Sequence, residues 1–152
     1  MQFEIPRPLK AEHEALHNML RKATQEPGEL GDAATAVAKL MHPHFIKEEA
    51  YALPPLGLLR DLAQGKVTPE MKAVLELTDK LKADLHQMLE EHKAIVAALE
   101  KLSAAAKKGG KMEYAAFADA LMLHAQTEEE VSYPTAILIG EYVREKLCLQ
   151  EP

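Results

Sequence analysis

His42-Pro43-His44-Phe45-Ile46-Lys47-Glu48-Glu49-Ala50-Tyr51-Ala52-Leu53-Pro54-Pro55 places a glutamate four residues after His44 and a proline ten residues after it. The same spacing returns at His124, Glu128 and Pro134, inside HAQTEEEVSYP. Each copy has an upstream companion: His13 in EHEAL stands 31 residues before His44, and His92 in EHKAI stands 32 residues before His124. The chain reads as an internal duplication, over about residues 9–54 and 88–134, whose matching positions carry metal-ligand side chains. Four histidines and two carboxylates on four segments are enough to hold a pair of metal ions.

Outward from these elements, apolar residues recur at helical spacing. Pro6 and Pro8 precede a helix over about Leu9–Ala23, which EPGELG closes. Asp32 can cap a second helix running to about Leu53, where Pro54 and Pro55 end or kink it. Pro43, beside His44, interrupts that helix's ladder and is expected to bend it. Thr68-Pro69-Glu70 is a strong helix start. Periodicity then continues to about Ala106, as one long helix or as two that meet near Asp79. Lys107-Lys108-Gly109-Gly110 stops it. A fourth helix follows over about Met112–Tyr133 and a last amphipathic one over Thr135–Gln150. No segment alternates as a strand. The expected fold is all-α: a single domain over residues 1–152, an up-down four-helix bundle with additional short or C-terminal helical pieces.

Composition agrees. Of 152 residues, 47% are apolar and 28% charged, and Leu, Ala, Glu and Lys dominate, which favours helix. A net charge of -6 without a basic cluster argues against nucleic acid or an anionic membrane as partner. The N-terminus lacks the apolar stretch of a signal peptide, and no uncharged run reaches the ~18 residues of a membrane span. One cysteine, Cys148, cannot form an internal disulfide, which fits a reducing cytoplasm.

Helix wheels place every candidate ligand in an apolar stripe. His13 shares a face with Leu9, Leu16, Leu20 and Ala23. His44 and Glu48 share one with Val37, Leu40 and Tyr51. His92 lies among Leu81, Leu85, Met88, Ile95 and Leu99, and His124 and Glu128 among Phe117, Ala120, Leu121 and Val131. One such histidine would be read as a core imidazole. Four of them with two inward glutamates are harder to explain, because a buried carboxylate costs several kcal/mol unless paired, protonated or cation-bound. No Lys or Arg lies centrally on these faces, so a metal centre is the economical resolution.

Other candidates divide by their angle. His42 and His86 fall away from the ligand faces and are expected in solvent, as are Glu49, Glu129 and Glu130 on a regular helix. His17 lies one turn from His13 on the same side, and is a ligand, a donor to a ligand or a core residue. Tyr51, one turn beyond Glu48, is a core tyrosine, a hydrogen-bond partner of a ligand, or a phenolate ligand.

This order of elements resembles the hemerythrin-like, or HHE cation-binding, domains, whose pattern is His, then His-x-x-x-Glu, then His, then His-x-x-x-Glu. Here it is met by His13, by His44 with Glu48, by His92, and by His124 with Glu128, over about residues 9–135. The resemblance implies a non-haem centre of two iron ions, oxo- or hydroxo-bridged, with Glu48 and Glu128 both bridging. Oxygen-carrying members have another histidine on the third helix, where this chain has Met88 and Val96. Four histidines, two bridging glutamates and one bridging oxygen leave about two of about twelve coordination positions open.

Open positions favour reaction with O2, NO or peroxide over reversible oxygen carriage. The implied function is binding or turnover of these small ligands, peroxidase-like if enzymatic. The alternative is iron or oxygen sensing through a separate partner. Sequence does not indicate an oligomeric state.

Overall fold

Pro6 and Pro8 flank the start of α1 (Arg7–Thr24), where a missing N–H leaves no gap in the ladder. Pro27 in an extended conformation and Gly28 at φ 72° turn the chain directly into α2 (Gly28–Lys47). That start lies four residues ahead of Asp32, the cap expected from sequence. In this computed structural model, which describes residues 1–149, α2 continues through Pro43. The last helix, expected to run to Gln150, already ends at Lys146, and Gln150 itself lies outside the described residues.

Beyond Lys47 the hydrogen-bond ladder changes pitch. A π-helical turn spans Glu48–Ala52, and the Leu53 N–H donates to the Glu48 carbonyl at 2.9 Å. A 3-10 turn (Pro54–Leu58) and the short α3 (Leu59–Ala63) follow. Pro69 then opens a second 3-10 turn (Pro69–Ala73), which leads into α4 (Val74–Lys108). At 35 residues α4 is about 50 Å long, and it passes Asp79 without a break. Gly109 and Gly110, the latter at φ 70°, reverse the chain.

The second repeat element behaves like the first. α5 (Met112–Thr127) passes into a π turn (Glu128–Ser132) and then directly into α6 (Tyr133–Lys146). The break expected between Tyr133 and Thr135 is absent. Each π turn ends just before or at the approach to a repeated proline, Pro54 or Pro134. Proline offers no N–H to the carbonyl four residues back, and the i→i+5 spacing of a π turn lets the chain re-register around that gap.

α1 packs against α2 and α5, and α4 packs against the same two, which closes a four-helix bundle. α6 extends beyond it along the N-terminal half of α4. Two apolar clusters result. One holds Leu20, Val37, Phe45, Leu99, Leu102 and Phe117; the other holds Tyr51, Leu56, Met71, Leu81, Tyr133 and Val143. On every bundle helix the candidate ligands lie between the two, so the bundle carries a polar layer across its middle.

α6 approaches α4 closely at Gly140, where an added Cβ would meet Thr78 Oγ1 at 2.1 Å. The Arg144 guanidinium, 2.6 Å from Asp79 Oδ1, holds the same pair of helices together further along. Gly140→Ala is therefore expected to destabilise the protein by about 1–3 kcal/mol, lowering the melting temperature by several degrees. Thr78→Ala removes the nearest atom but leaves the Thr78 Cβ at 2.6 Å, so it should recover only part of the loss. Thermal melts of the three variants check this.

Candidate metal centre

The polar layer brings His13, His44, Glu48, His92, His124 and Glu128 together, five of them buried and His124 nearly so. The imidazoles face one another through Nε2 in two pairs. His44 and His92 are 2.9 Å apart, and His13 and His124 are 3.3 Å apart. Glu128 lies between the pairs: Oε1 is 3.3 Å from His92 Nε2, while Oε2 is 3.2 Å from His124 Nε2 and 3.6 Å from His13 Nε2. Glu48 stays with one pair, its Oε1 3.6 Å from His44 Nε2. Two groups of potential ligands result, His44–Glu48–His92–Glu128 and His13–His124–Glu128, with Glu128 common to both.

The outward nitrogens are as ordered as the inward ones. His44 Nδ1 faces Glu91 at 2.8 Å, and His92 Nδ1 faces Glu129 at 3.1 Å. His124 Nδ1 is bonded to Glu12, and His13 Nδ1 stands 3.8 Å from Glu49. Three histidines are thus held by a carboxylate of the next bundle segment, from α2 to α4, from α4 to the turn after α5, and from α5 back to α1, while His13 Nδ1 only faces Glu49 and has no hydrogen-bond partner. A carboxylate at Nδ1 favours the tautomer with its proton there, which leaves the Nε2 lone pair pointing inward for a cation. Glu91 is itself fixed by Lys47 at 2.7 Å.

Glu49 and Glu129 are exposed, as expected, but Glu129 also reaches His92 and Glu49 approaches His13, contacts the wheel did not foresee. A regular helix would turn them away, but the π turns beginning at Glu48 and Glu128 rotate the following residues. The same rotation exposes Val131, which the wheel placed inside, and Leu40 is also exposed. Glu12 and Glu91 directly precede His13 and His92, and that repeated Glu-His pair was the sequence signal for their role.

Tyr133 is the residue sequence reasoning missed. Nine positions after His124, a straight helix would set it on the opposite side, whereas the π turn brings it fully inside. Its hydroxyl donates to Glu48 Oε2 at 2.7 Å and lies 3.3 Å from His44 Nε2 and 3.2 Å from His92 Nε2. Tyr51 instead bonds Asp84, with Met88 Sδ at 3.9 Å. His17 stacks on Phe45 at 5.0 Å and lines a separate cavity between α1 and α2, outside both ligand groups. His42 and His86 are exposed.

The repeat position of Tyr133 in the first half is Leu53. Leu53 borders a cavity of about 350 Å³ that reaches His13, His124 and Glu128, walled by Leu9, Leu16 and Leu123. One half of the centre is therefore closed by a phenol, while the other opens to an apolar cavity.

Burial drives the Glu48 carboxyl well above the usual carboxylate range, and the neighbouring Glu128 carboxylate adds to the effect. Burial opposes ionisation of Glu128 too, but the close approach of Glu48 and of the His124, His13 and His92 rings outweighs it and holds Glu128 well below that range. The two carboxylates are thus driven in opposite directions. Burial lowers His44, whereas at His124 the same burial is overcome by Glu128 and the basicity rises. Tyr133 is held far above the ordinary phenol range by burial and then by the charges of Glu48 and Glu128. Glu48 Oε1 and Glu128 Oε2 have no hydrogen-bond partner. Buried acceptors left in this way, among imidazoles with free inward lone pairs, fit a pair of cations.

Because Nδ1 contacts orient the ligands, Glu91→Gln and Glu129→Gln are each expected to weaken divalent-metal affinity by about 10–100-fold. Glu49→Gln should act less, given its longer approach. Chelator competition measures this, and unchanged affinity in both glutamine variants would refute the orienting role.

A family model, the Hemerythrin HHE cation binding domain, matches residues 5–136. Searches of curated proteins and of solved structures returned no match. The family match covers all four bundle helices and both π turns, so the chain belongs to the hemerythrin HHE cation-binding domain family.

Proposed function

We propose that this cation-binding protein holds two iron ions and binds or reacts with O2, NO or peroxide. The observation that carries the reading is the pair of ligand groups joined through Glu128. His44, His92 and Glu48 would hold one ion, and His13 with His124 the other, with Glu128 reaching both. Glu48 lies beside the first pair only and its second oxygen accepts from Tyr133, so the two ions would be inequivalent. Imidazole and carboxylate donors without thiolate suit iron among the metals of this chemistry. Iron supplies the redox chemistry and open coordination positions when bound.

The side chains supply the rest. Glu12, Glu91 and Glu129 fix the orientation of three imidazoles. The two apolar clusters keep the layer dry, which strengthens each electrostatic contact within it. Tyr133 closes the His44–His92 side, and the cavity beside Leu53 gives small neutral molecules access to the His13–His124 side. No helix among the described residues is long and apolar enough to cross a membrane. The lone, exposed Cys148 suits a reducing compartment such as the cytoplasm.

Gently purified protein should contain iron near two per chain, with oxo-bridge absorption in the near ultraviolet. Chelation should lower the melting temperature, because it leaves the two carboxylates facing each other, and iron should restore it. Equal melting of metal-free and iron-loaded protein would argue against a core site. Tyr133, rather than Tyr51, is placed to offer a phenol oxygen. A visible phenolate-to-iron band in the ferric protein should vanish in Tyr133→Phe and persist in Tyr51→Phe; the reverse result would assign the role to Tyr51.

A further inference from the structure

The cavity beside Leu53 is far larger than O2, NO or hydrogen peroxide. It measures about 350 Å³, whereas one water molecule takes roughly 30 Å³ of liquid and these ligands are of that order. Its volume falls instead in the range of about 300–1,000 Å³ in which proteins bind small organic molecules.

Its walls are divided in character. Leu9, Leu16, Leu53, Ala120 and Leu123 make up the apolar part. Leu53 is 2% exposed and Leu123 64%, so the space runs from the interior to the surface. His13, His124 and Glu128 line the buried end, and Glu128 Oε2 there has no hydrogen-bond partner. Ser132, 8% exposed, lines the cavity as well, and no described residue bonds its hydroxyl. The Thr127 hydroxyl, by contrast, donates to the Leu123 carbonyl at 3.0 Å. The repeat pairs Leu53 with Tyr133 and Ala52 with Ser132. Leucine in place of the phenol leaves the room, and serine in place of alanine puts a donor into it.

A guest for this space needs the same division, an apolar body and one polar, reactive end. O2 and NO carry no substituent. Hydrogen peroxide is polar at both ends and loses hydration beside leucines without recompense. A peroxide with an organic substituent keeps the O–OH group and adds a body that the leucines take out of water.

We propose, resting on the di-iron reading above, that this cavity is a substrate pocket and that its substrate is an organic hydroperoxide. The body lies among Leu9, Leu16 and Leu123, and the O–OH end reaches the His13–His124 side next to the Ser132 hydroxyl. The step is a two-electron reduction. The O–O bond of ROOH breaks, one oxygen leaves in ROH and the other in water, and two protons enter from solvent. The two electrons come from two ferrous ions, which end ferric.

One arm of the test involves no redox chemistry. Cumyl alcohol, the unreactive product of cumene hydroperoxide, should bind the purified protein once per chain in titration calorimetry. Leu53→Tyr, which gives this half the residue of the other, and Leu123→Trp, at an exposed position where folding is not at stake, should each weaken that binding about ten-fold or more. In the second arm, anaerobically reduced protein is mixed with cumene hydroperoxide or hydrogen peroxide in a single turnover. The parent should prefer the organic peroxide by about ten-fold or more, forming one cumyl alcohol per chain, and both variants should lower that ratio. Absence of alcohol binding, or a ratio near one that neither variant moves, would overturn the pocket while leaving the di-iron reading intact. A reduced centre that neither peroxide oxidises would overturn both.

Discussion

Two carboxylates share a dry layer in the middle of this bundle, and the architecture around them is arranged about that problem. Burial and mutual repulsion oppose ionising both Glu48 and Glu128, and their surroundings differ: burial pushes Glu48 up, whereas the three imidazoles around Glu128 help to hold it down. Hydrophobic residues of similar size would make a more stable bundle than a half-satisfied polar layer. What sets this layer apart from a packing defect is its order. Every imidazole has its Nδ1 toward a carboxylate and its Nε2 toward the centre, an arrangement that costs stability without a cation and gains it with one.

The ring of supporting carboxylates also explains why the site spans four helices. His44, His92 and His124 are each oriented by a neighbouring segment, so the site is complete only when the bundle is assembled. The reverse also holds, because ligand orientation ties α1, α2, α4 and α5 together at mid-height, where the two apolar clusters are divided. Folding and cation binding are coupled through the same contacts. The asymmetry enters through one repeat position. Tyr133 fills the space over His44 and His92, Leu53 leaves the equivalent space open over His13 and His124, and a centre built from matching elements becomes two unlike halves.

Much of this was legible in the sequence. Spacing of His44 to Glu48 and His124 to Glu128, with His13 and His92 upstream, was enough to read the fold, the family and the inward faces. Apolar periodicity located the helices, and Gly109–Gly110 marked the turn between α4 and α5. The residues that escaped share a cause. Glu129, Glu49, Val131 and Tyr133 all lie within or just beyond the π turns, where a wheel drawn at 100° per residue loses register. The repeated prolines at 54 and 134 carried that information, since a proline at a fixed distance behind each ligand pair implies a fixed disturbance of the ladder there. Tyr51 drew attention in place of Tyr133 because the straight-helix geometry favoured it. Its hydroxyl is taken by Asp84, whose position on α4 was not linked to α2 by any local pattern.

Anomalous scattering from crystals of the iron-loaded protein, recorded on both sides of the iron absorption edge, tests the centre most directly. Two iron peaks are predicted in the polar layer, one bounded by His44, His92 and Glu48 and the other by His13 and His124, with Glu128 reaching both. A single peak, peaks outside this layer, or an iron-free layer in protein that has taken up iron would contradict the account.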